Sequence, residues 1–134
     1  MNKSVVMQFN REFIEQGNLQ SLDELVADDF YNHTAVPGVS KGRDGMLHFL
    51  QDILRAGFPD LKVEILEQVA ERDLVTTRKK ITGTHTGKIL GIAPSHRTVT
   101  INIMDFVRLR NGQYIEHWGV SNFGEVIAEL RAGS

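Results

Sequence analysis

The sequence contains no cysteine, which excludes disulfide bonds, thiolate catalysis and cysteine–zinc sites. It also has no apolar stretch close to the roughly 20 residues that a membrane-spanning helix needs. Its first residues include Lys3, Arg11 and Glu12, whereas a signal peptide carries a continuous apolar region. A chain without cysteine suits a reducing compartment, so these absences predict a cytoplasmic protein that does not enter a membrane.

An excess of charge of one sign is also lacking. The chain has 15 basic and 17 acidic residues, and its densest basic run, residues 78–80, contains no aromatic side chain. Nucleic-acid sites are clustered and strongly basic, so no nucleic-acid partner is expected. The five histidines show none of the spacings typical of metal sites, and no glycine-rich segment has the composition of a phosphate loop. We therefore expect neither a metal nor another cofactor.

The first half of the chain has the apolar period of helices. A stripe of apolar residues predicts a first helix that ends at Gly17. Ser21 followed by Glu24 is typical of a capping box, which would open a short helix over residues 21–26. A third helix is predicted over residues 43–56, where apolar residues again share one face.

The second half has the period of strands, and residues 28–33 between the halves look like a break that leads into a loop. Strands are predicted over residues 61–65, 74–85, 97–110 and 114–121, followed by a closing helix over residues 123–131. Asn111 and Gly112 accept positive φ and predict a tight hairpin. Helices followed by an antiparallel meander indicate an α+β fold, which we expect to be a single domain over residues 1–134.

The long strand before the hairpin carries apolar residues on both faces. Ile101, Ile103 and Val107 share one face, and Met104 and Phe106 share the other. A strand that is apolar on both faces needs cover on both sides. The helices can cover one side, and we predict that a second copy of the chain covers the other, as a homodimer formed sheet to sheet.

Several segments resemble the SnoaL-like polyketide cyclase (ester cyclase) family, in the family's order and nearly its spacing. These segments are DDFYNH at 28–33, FPDLKVEI at 58–65, GTHTG at 83–87, LGIAPS at 90–95 and RNGQYIEHWGV at 110–120. The resemblance implies a nuclear transport factor two-like fold, a cone-shaped barrel in which a strongly curved, mainly antiparallel sheet wraps against three N-terminal helices. It also implies a pocket in which a carboxylate removes an acidic proton from a carbonyl compound without a cofactor.

The main departure from the family is Gly119. The family motif usually reads His-Trp-Asp, and its aspartate is the acid/base group, whereas this chain has Gly119 after His117 and Trp118. Glycine cannot carry a proton, and losing a general base commonly costs about a hundred- to ten-thousand-fold in rate. The departure therefore puts the usual cyclase mechanism in doubt.

Asp105 and His117 are the candidate catalytic residues. Asp105 is flanked by apolar residues on its strand, so we expect desolvation to raise its pKa toward a useful range. The hairpin pairs Asp105 with the region of Gly119, which would place Asp105 and His117 on one pocket wall. The alternatives are that Asp105 bonds backbone or pairs with an arginine such as Arg78, and that His117 is a hydrogen-bonded histidine at the rim.

The candidate binding residues are Asn32, His33, Phe49, Ile53, His85, Ile103 and Gly119. The resemblance places Asn32 and His33 at the pocket edge, although turn hydrogen bonds would also explain them. Phe49 and Ile53 lie on the apolar stripe of the third helix, for which core packing is the ordinary explanation. His85 ends a strand, where a structural hydrogen bond is the ordinary explanation.

Two functions from different classes follow. The first is an enzyme that performs cofactor-free acid/base chemistry, of the intramolecular aldol, isomerase or dehydratase type, on a small carbonyl compound in an apolar pocket. The second is a binding protein that holds a small hydrophobic metabolite without chemistry, which Gly119 favours. A third hypothesis is a dimeric interaction module whose cavity has no function of its own.

Overall fold

The helices of this protein lie on one face of a single mixed sheet. The computed structural model describes residues 1–133; Ser134, the end of the predicted domain, lies outside them. The helices are α1 (Asn2–Phe9, continued as a π-helix over Asn10–Glu15), α2 (Leu19–Leu25), α3 (Arg43–Leu47, continued as a π-helix over His48–Arg55) and α4 (Phe123–Ala132). The strands are β1 (Val26–Asn32), β2 (Lys62–Glu71), β3 (Leu74–Thr84), β4 (Thr98–Arg110) and β5 (Gln113–Ser121).

The sheet has the strand order β1-β5-β4-β3-β2. Its last four strands form the predicted antiparallel meander, and the hairpin between β4 and β5 turns at Asn111 and Gly112, with φ of +53° and +76°. The α+β fold is therefore confirmed. Because β1 and β2 are edge strands, the sheet is open and does not close into a barrel.

The structure adds a strand that the sequence pattern missed. Residues predicted as the end of a helix and a break form β1, which pairs with β5 in parallel through Tyr31–Glu116 and Asn32–His117. The local pattern gave no sign of this strand because its partner lies 85 residues away, as the Asn32–His117 contact shows. Parallel pairs have no turn that signals them in the sequence.

The start of α2 also differs from the prediction. Asn18, not Ser21, is the N-cap, and its Oδ1 accepts a hydrogen bond from Gln20 N at 3.0 Å. The Ser21 hydroxyl instead donates to Glu12 Oε1 at 2.6 Å, which joins α2 to α1. Asparagine is as good an N-cap as serine, so the helix begins at Leu19, directly after Asn18, and not at the predicted Ser21.

A β-bulge changes which residues of β5 face the helices. Leu109 pairs with Tyr114 and Arg108 with Glu116, so Ile115 has no partner of its own. Simple alternation along β5 would put Tyr114 on the face opposite His117. The extra residue shifts the register and brings Tyr114, 3% exposed, to the buried face beside His117.

The two faces of β4 separate as predicted. Ile101 and Val107 are buried with the helices, whereas Met104 and Phe106 are 55% and 51% exposed on the outer face. Asp105 points to the buried face with the first pair. None of the helices formed by residues 1–133 is both long and apolar enough to cross a bilayer.

Candidate functional site

A cavity of about 170 Å³ lies between the buried face of the sheet and the helices. Drug-sized ligands occupy sites of about 300–1,000 Å³, so this one suits a more compact molecule. Most of the wall is apolar and includes Ile14, Phe49, Leu54, Ile101, Ile103 and Phe123. The polar residues of the wall are fewer: Asn32, Thr34, Lys79, Asp105, Tyr114, His117 and Ser121.

Asp105 is the buried carboxylate of this cavity, and only 6% of the residue is exposed. Its Oδ2 lies 3.3 Å from His117 Nε2 and 3.7 Å from Lys79 Nζ. Its Oδ1 has no hydrogen-bond partner among residues 1–133. A buried carboxylate oxygen without a partner is costly. Because this oxygen belongs to a residue that lines the cavity, a ligand can supply the missing donor.

Lys79 is the cation that makes a buried charge at position 105 tolerable. It is 6% exposed on the inner face of β3, and its Nζ donates to Asn10 Oδ1 at 2.6 Å. The Asn10 amide in turn donates to Val6 O at 2.8 Å, which anchors the contact on α1. The arginine suggested by the sequence, Arg78, points outward instead, because neighbouring strand residues face opposite sides.

The pKa of Asp105 corrects the expectation drawn from its apolar neighbours. Burial alone would raise this pKa, but the Lys79 ammonium and the hydrogen bond and charge of His117 outweigh burial and hold it below the ordinary value. The carboxylate is therefore ionised at neutral pH. The ionised carboxylate can accept a proton. Because its pKa is low, it is a weak base.

His117 lies between Asp105 and Asn32. Asn32 Oδ1 accepts a hydrogen bond from Thr34 N at 3.1 Å, which fixes the amide oxygen toward His117 Nδ1, 2.9 Å away. Nδ1 must therefore carry a proton, since both atoms cannot be acceptors. Nε2 faces Asp105 Oδ2 at 3.3 Å. The arrangement places a ring nitrogen that can exchange a proton next to the carboxylate.

Gly119 lies directly opposite Asp105 in the β4–β5 ladder. A Cβ added at this position would lie 2.9 Å from His117 Cε1, 3.2 Å from His117 Nε2 and 3.4 Å from Asp105 Cβ. The first distance is shorter than van der Waals contact allows. The His117 ring thus occupies the space that a side chain at position 119 would need, and glycine is what lets this ring reach Asp105.

Tyr114 contributes a hydroxyl to the cavity wall and stacks obliquely on Phe9, with ring centroids 4.4 Å apart. Burial raises the pKa of Tyr114 well above its ordinary value, and the negative charge of Asp105 adds to this effect. The hydroxyl therefore stays protonated. A protonated phenol is a hydrogen-bond donor, so Tyr114 can donate to a ligand.

The structure places four of the predicted binding residues in the cavity wall, Asn32, Phe49, Ile103 and Gly119, together with Asp105 and His117. His33 is not among the residues that line the cavity; it comes directly after Asn32, the last residue of β1. There it bonds Glu116 at 2.9 Å and stacks on Trp118 with centroids 4.5 Å apart.

Two further predicted lining residues also lie outside the cavity wall. Ile53, at 9% exposure, packs in the hydrophobic core and is not among the residues that line the cavity. His85 is fully buried, and its Nδ1 accepts a hydrogen bond from Ser95 N at 3.2 Å. That contact is the structural hydrogen bond considered as its alternative role.

Sequence reasoning missed Lys79, Asn10 and Tyr114. A signal for Lys79 is present, because Val75, Ile81 and Lys79 share one face of β3 by alternation, but Lys79 also lies in a run of three basic residues, which is typical of a solvated surface. Asn10 sits among helical residues and gave no signal, and Tyr114 was misplaced by the bulge. No three histidine, aspartate or glutamate side chains of residues 1–133 gather as a metal site would require.

The lowered pKa of Asp105 predicts a pH dependence of stability. A carboxylate whose folded-state pKa lies below the unfolded value of about 3.9 stabilises the fold above that pH and loses the contribution as pH falls. Urea unfolding of the wild type and of Asp105→Asn should therefore differ most near neutral pH, and the difference should shrink below about pH 4. A difference that stays constant or grows in acid would contradict the lowered pKa.

Substitution of Gly119 tests the contact between His117 and Asp105. We expect Gly119→Ala to push the His117 ring away, lengthening the 3.3 Å contact and destabilising the fold by about 1–3 kcal/mol. Nitrogen NMR of the ring and urea unfolding measure the two effects. Gly124→Ala is the control, since a Cβ there meets nothing within 4 Å; equal behaviour of the two variants would exclude the steric argument.

Comparison with known proteins gives one family and many structures of this fold. The sequence model of SnoaL-like polyketide cyclases matches residues 4–130. IdmH of Streptomyces antibioticus, a candidate polyketide cyclase, superposes with a TM-score of 0.84 at 28% identity, covering 97% of this chain and 98% of IdmH. AclR of Streptomyces galilaeus, a candidate hydroxylase, gives a TM-score of 0.83 at 24% identity, with 98% and 81% covered. No curated protein sequence matches the chain.

Proposed function

Because the chain belongs to the SnoaL-like polyketide cyclase family, we propose that it catalyses cofactor-free acid/base chemistry on a small carbonyl compound in the cavity. One observation carries the proposal: Asp105, ionised and 6% exposed, borders the cavity with an oxygen that has no partner in residues 1–133. A carboxylate in an apolar wall is expensive to bury, and a proton-transfer role accounts for it.

The proposed reaction is an intramolecular aldol step. Asp105 Oδ1 takes a proton from the carbon next to a carbonyl, and the C–H electron pair becomes an enolate. The enolate carbon attacks a further carbonyl elsewhere in the same molecule, not one of those that activate it, forming a C–C bond and an alkoxide. His117 donates its Nε2 proton to the alkoxide, and the proton on Asp105 returns to His117. The sequence needs no oxidant, reductant or co-reactant.

The low proton affinity of Asp105 limits the substrate. A weak base removes a proton efficiently only from a carbon acid that is already activated. The substrate we propose therefore has a carbon between two carbonyl groups, as in a β-keto ester, and it is compact enough for a cavity of about 170 Å³.

The position of the carboxylate supports a catalytic role in spite of Gly119. Asp105 and Gly119 are partners across the β4–β5 ladder, and both line the cavity. We propose that β4 supplies through Asp105 the carboxylate that the family usually carries on β5. The space left at position 119 is taken by the His117 ring, so both groups of an acid/base pair remain in the cavity.

The test is hydrogen–deuterium exchange at the activated carbon of ethyl acetoacetate in deuterated buffer, followed by proton NMR. We expect the protein to accelerate exchange above the buffer rate in proportion to its concentration. Exchange at the buffer rate, for this compound and for a series of compact β-keto esters that bind, would remove the proposal of acid/base catalysis.

Holding a small hydrophobic metabolite without chemistry is the second candidate. The apolar majority of the cavity wall and the missing side chain at Gly119 favour it. A thermal-shift screen of compact carbonyl compounds and matched hydrocarbons separates the two, because ligands stabilise the folded state by mass action. Stabilisation by both classes without any exchange would favour this role.

We further propose a homodimer formed through the outer face of the sheet. Met104 pairs with Val120 and Phe106 with Trp118 across β4 and β5, and the first three are 55%, 69% and 51% exposed. A twofold contact buries such a patch against its own copy.

The cytoplasmic location also stays a prediction, supported by the absence of cysteine.

Light scattering tests the dimer. We expect the wild type at twice the chain mass and Phe106→Lys at the chain mass, because a buried lysine without a partner disfavours the interface. The control is Leu90→Lys, at a loop leucine that is 47% exposed. A monomeric wild type at all concentrations would contradict the dimer.

A further inference from the structure

Lys79 and Asp105 present a complementary pair of unsatisfied groups to the same cavity. The Lys79 ammonium has three N–H donors, and its hydrogen bond to Asn10 uses one of them. Its 3.7 Å separation from Asp105 Oδ2 is an ion pair but exceeds hydrogen-bond range. Asp105 Oδ1 is an acceptor without a partner in the described chain. The wall thus offers a positively charged donor close to a negatively charged acceptor.

The ammonium is held in place rather than free to swing. Asn10, 2% exposed, accepts from Nζ at 2.6 Å and is fixed by its own bond to Val6 O at 2.8 Å. A neutral amide orients the ammonium without cancelling its charge. Fixed charges act more strongly in a water-poor cavity than in solvent, and they cost no reorganisation when charge develops on a ligand.

We infer that Lys79 is the oxyanion-binding residue of this site, which selects carbonyl ligands in their enolate form. The inference rests on the proposed acid/base function. The proton leaves the ligand carbon beside Asp105, and the electron pair moves onto the carbonyl oxygen, where Lys79 receives the negative charge. Asn10 is a positioning residue that aims the ammonium, and the Tyr114 hydroxyl is a second donor, suited to a second carbonyl oxygen.

The experiment compares dimedone, a cyclic β-diketone that ionises to a stable enolate, with dimethylcyclohexanone, which has one carbonyl and stays neutral. The chain has no cysteine, so dimedone can act only as a non-covalent probe. By calorimetry at neutral pH we expect the wild type to bind dimedone at least about tenfold more tightly than the monoketone, the effect of one charged hydrogen bond.

Lys79→Met should lower the affinity for dimedone about tenfold or more and leave the affinity for the monoketone within about threefold. The matched control is Lys80→Met, the next residue, whose ammonium points to the other face and lies 3.6 Å from Glu64. Ultraviolet absorbance of bound dimedone adds a direct readout, because enol and enolate absorb differently. Unchanged dimedone affinity in Lys79→Met would overturn the inference.

A folding defect in Lys79→Met would not remove the test. The double variant Lys79→Met with Asp105→Asn leaves no uncompensated ion from this pair, and it should bind the monoketone like the wild type and dimedone no better than the monoketone. Tight dimedone binding by this variant would also overturn the inference.

The outcomes separate this inference from the proposed function. Lys79-dependent binding of dimedone with no exchange of ethyl acetoacetate protons would leave the oxyanion site standing and remove the catalytic proposal. If ethyl acetoacetate protons exchange and Lys79→Met binds dimedone like the wild type, the catalytic proposal stands and the oxyanion site at Lys79 is removed.

Discussion

Asp105→Asn should lower the rate of ethyl acetoacetate proton exchange by about a hundred- to ten-thousand-fold, the range for loss of a general base. The amide keeps the shape of the side chain but cannot hold the transferred proton. Binding of the neutral monoketone should remain, since the apolar wall is unchanged. A loss of rate with retained binding identifies a role in proton transfer.

The matched control is Asp52→Asn. Asp52 also contacts a histidine, His48, at 3.0 Å, but this pair is on the surface, with its side chains 63% and 55% exposed. We expect this variant to exchange at the wild-type rate. If Asp105→Asn retains full rate while remaining folded, Asp105 is not the base. A parallel loss in both variants would point to a general effect of removing a carboxylate.

The second large effect is on stability and comes from the buried ion pair. Removing one partner of such a pair leaves the other charge uncompensated and costs about 3–5 kcal/mol. We expect Lys79→Met and Asp105→Asn each to lower the free energy of unfolding in urea by roughly this amount. The double variant should fall short of the sum of the two single losses by about 1–3 kcal/mol, because it leaves neither charge without its partner.

The control cycle uses Lys80 and Glu64, the neighbouring pair on the outer face, 3.6 Å apart with side chains 38% and 62% exposed. Exposed pairs contribute about 0.2–1 kcal/mol, so every corner of this cycle should lie close to the wild type. Losses at Lys79 and Asp105 that add without coupling would show that the two charges do not stabilise each other.

The difference between these two ion pairs illustrates what sequence reading can and cannot decide. Alternation along β3 puts Lys79 and Lys80 on opposite faces, so the sequence already separates them. It does not show that the inner face meets Asn10 from α1, or that Asp105 lies 3.7 Å away. The sequence therefore predicted a raised pKa for Asp105, and the structure gives a lowered one. The apolar neighbours that desolvate Asp105 are close in the chain, whereas the cation that compensates its charge is not.

Local periodicity determined most of the elements: the helices, the antiparallel strands, the hairpin at Asn111 and Gly112, and the inward direction of Asp105. These features depend on residues close together in the chain, whose side-chain direction follows from the helical or strand period. The family resemblance added the order of the elements and the expectation of a cavity.

Only the tertiary structure decided the parallel strand β1, the bulge that turns Tyr114 inward, the place of His33 outside the cavity wall and the fit of the His117 ring over Gly119. Each of these is set by partners that are distant in sequence or by one extra residue in a ladder, and a one-residue shift reverses the face of a strand. The site is built from such contacts. The sequence pattern therefore predicts candidate site residues, but tertiary packing decides which of them are in contact.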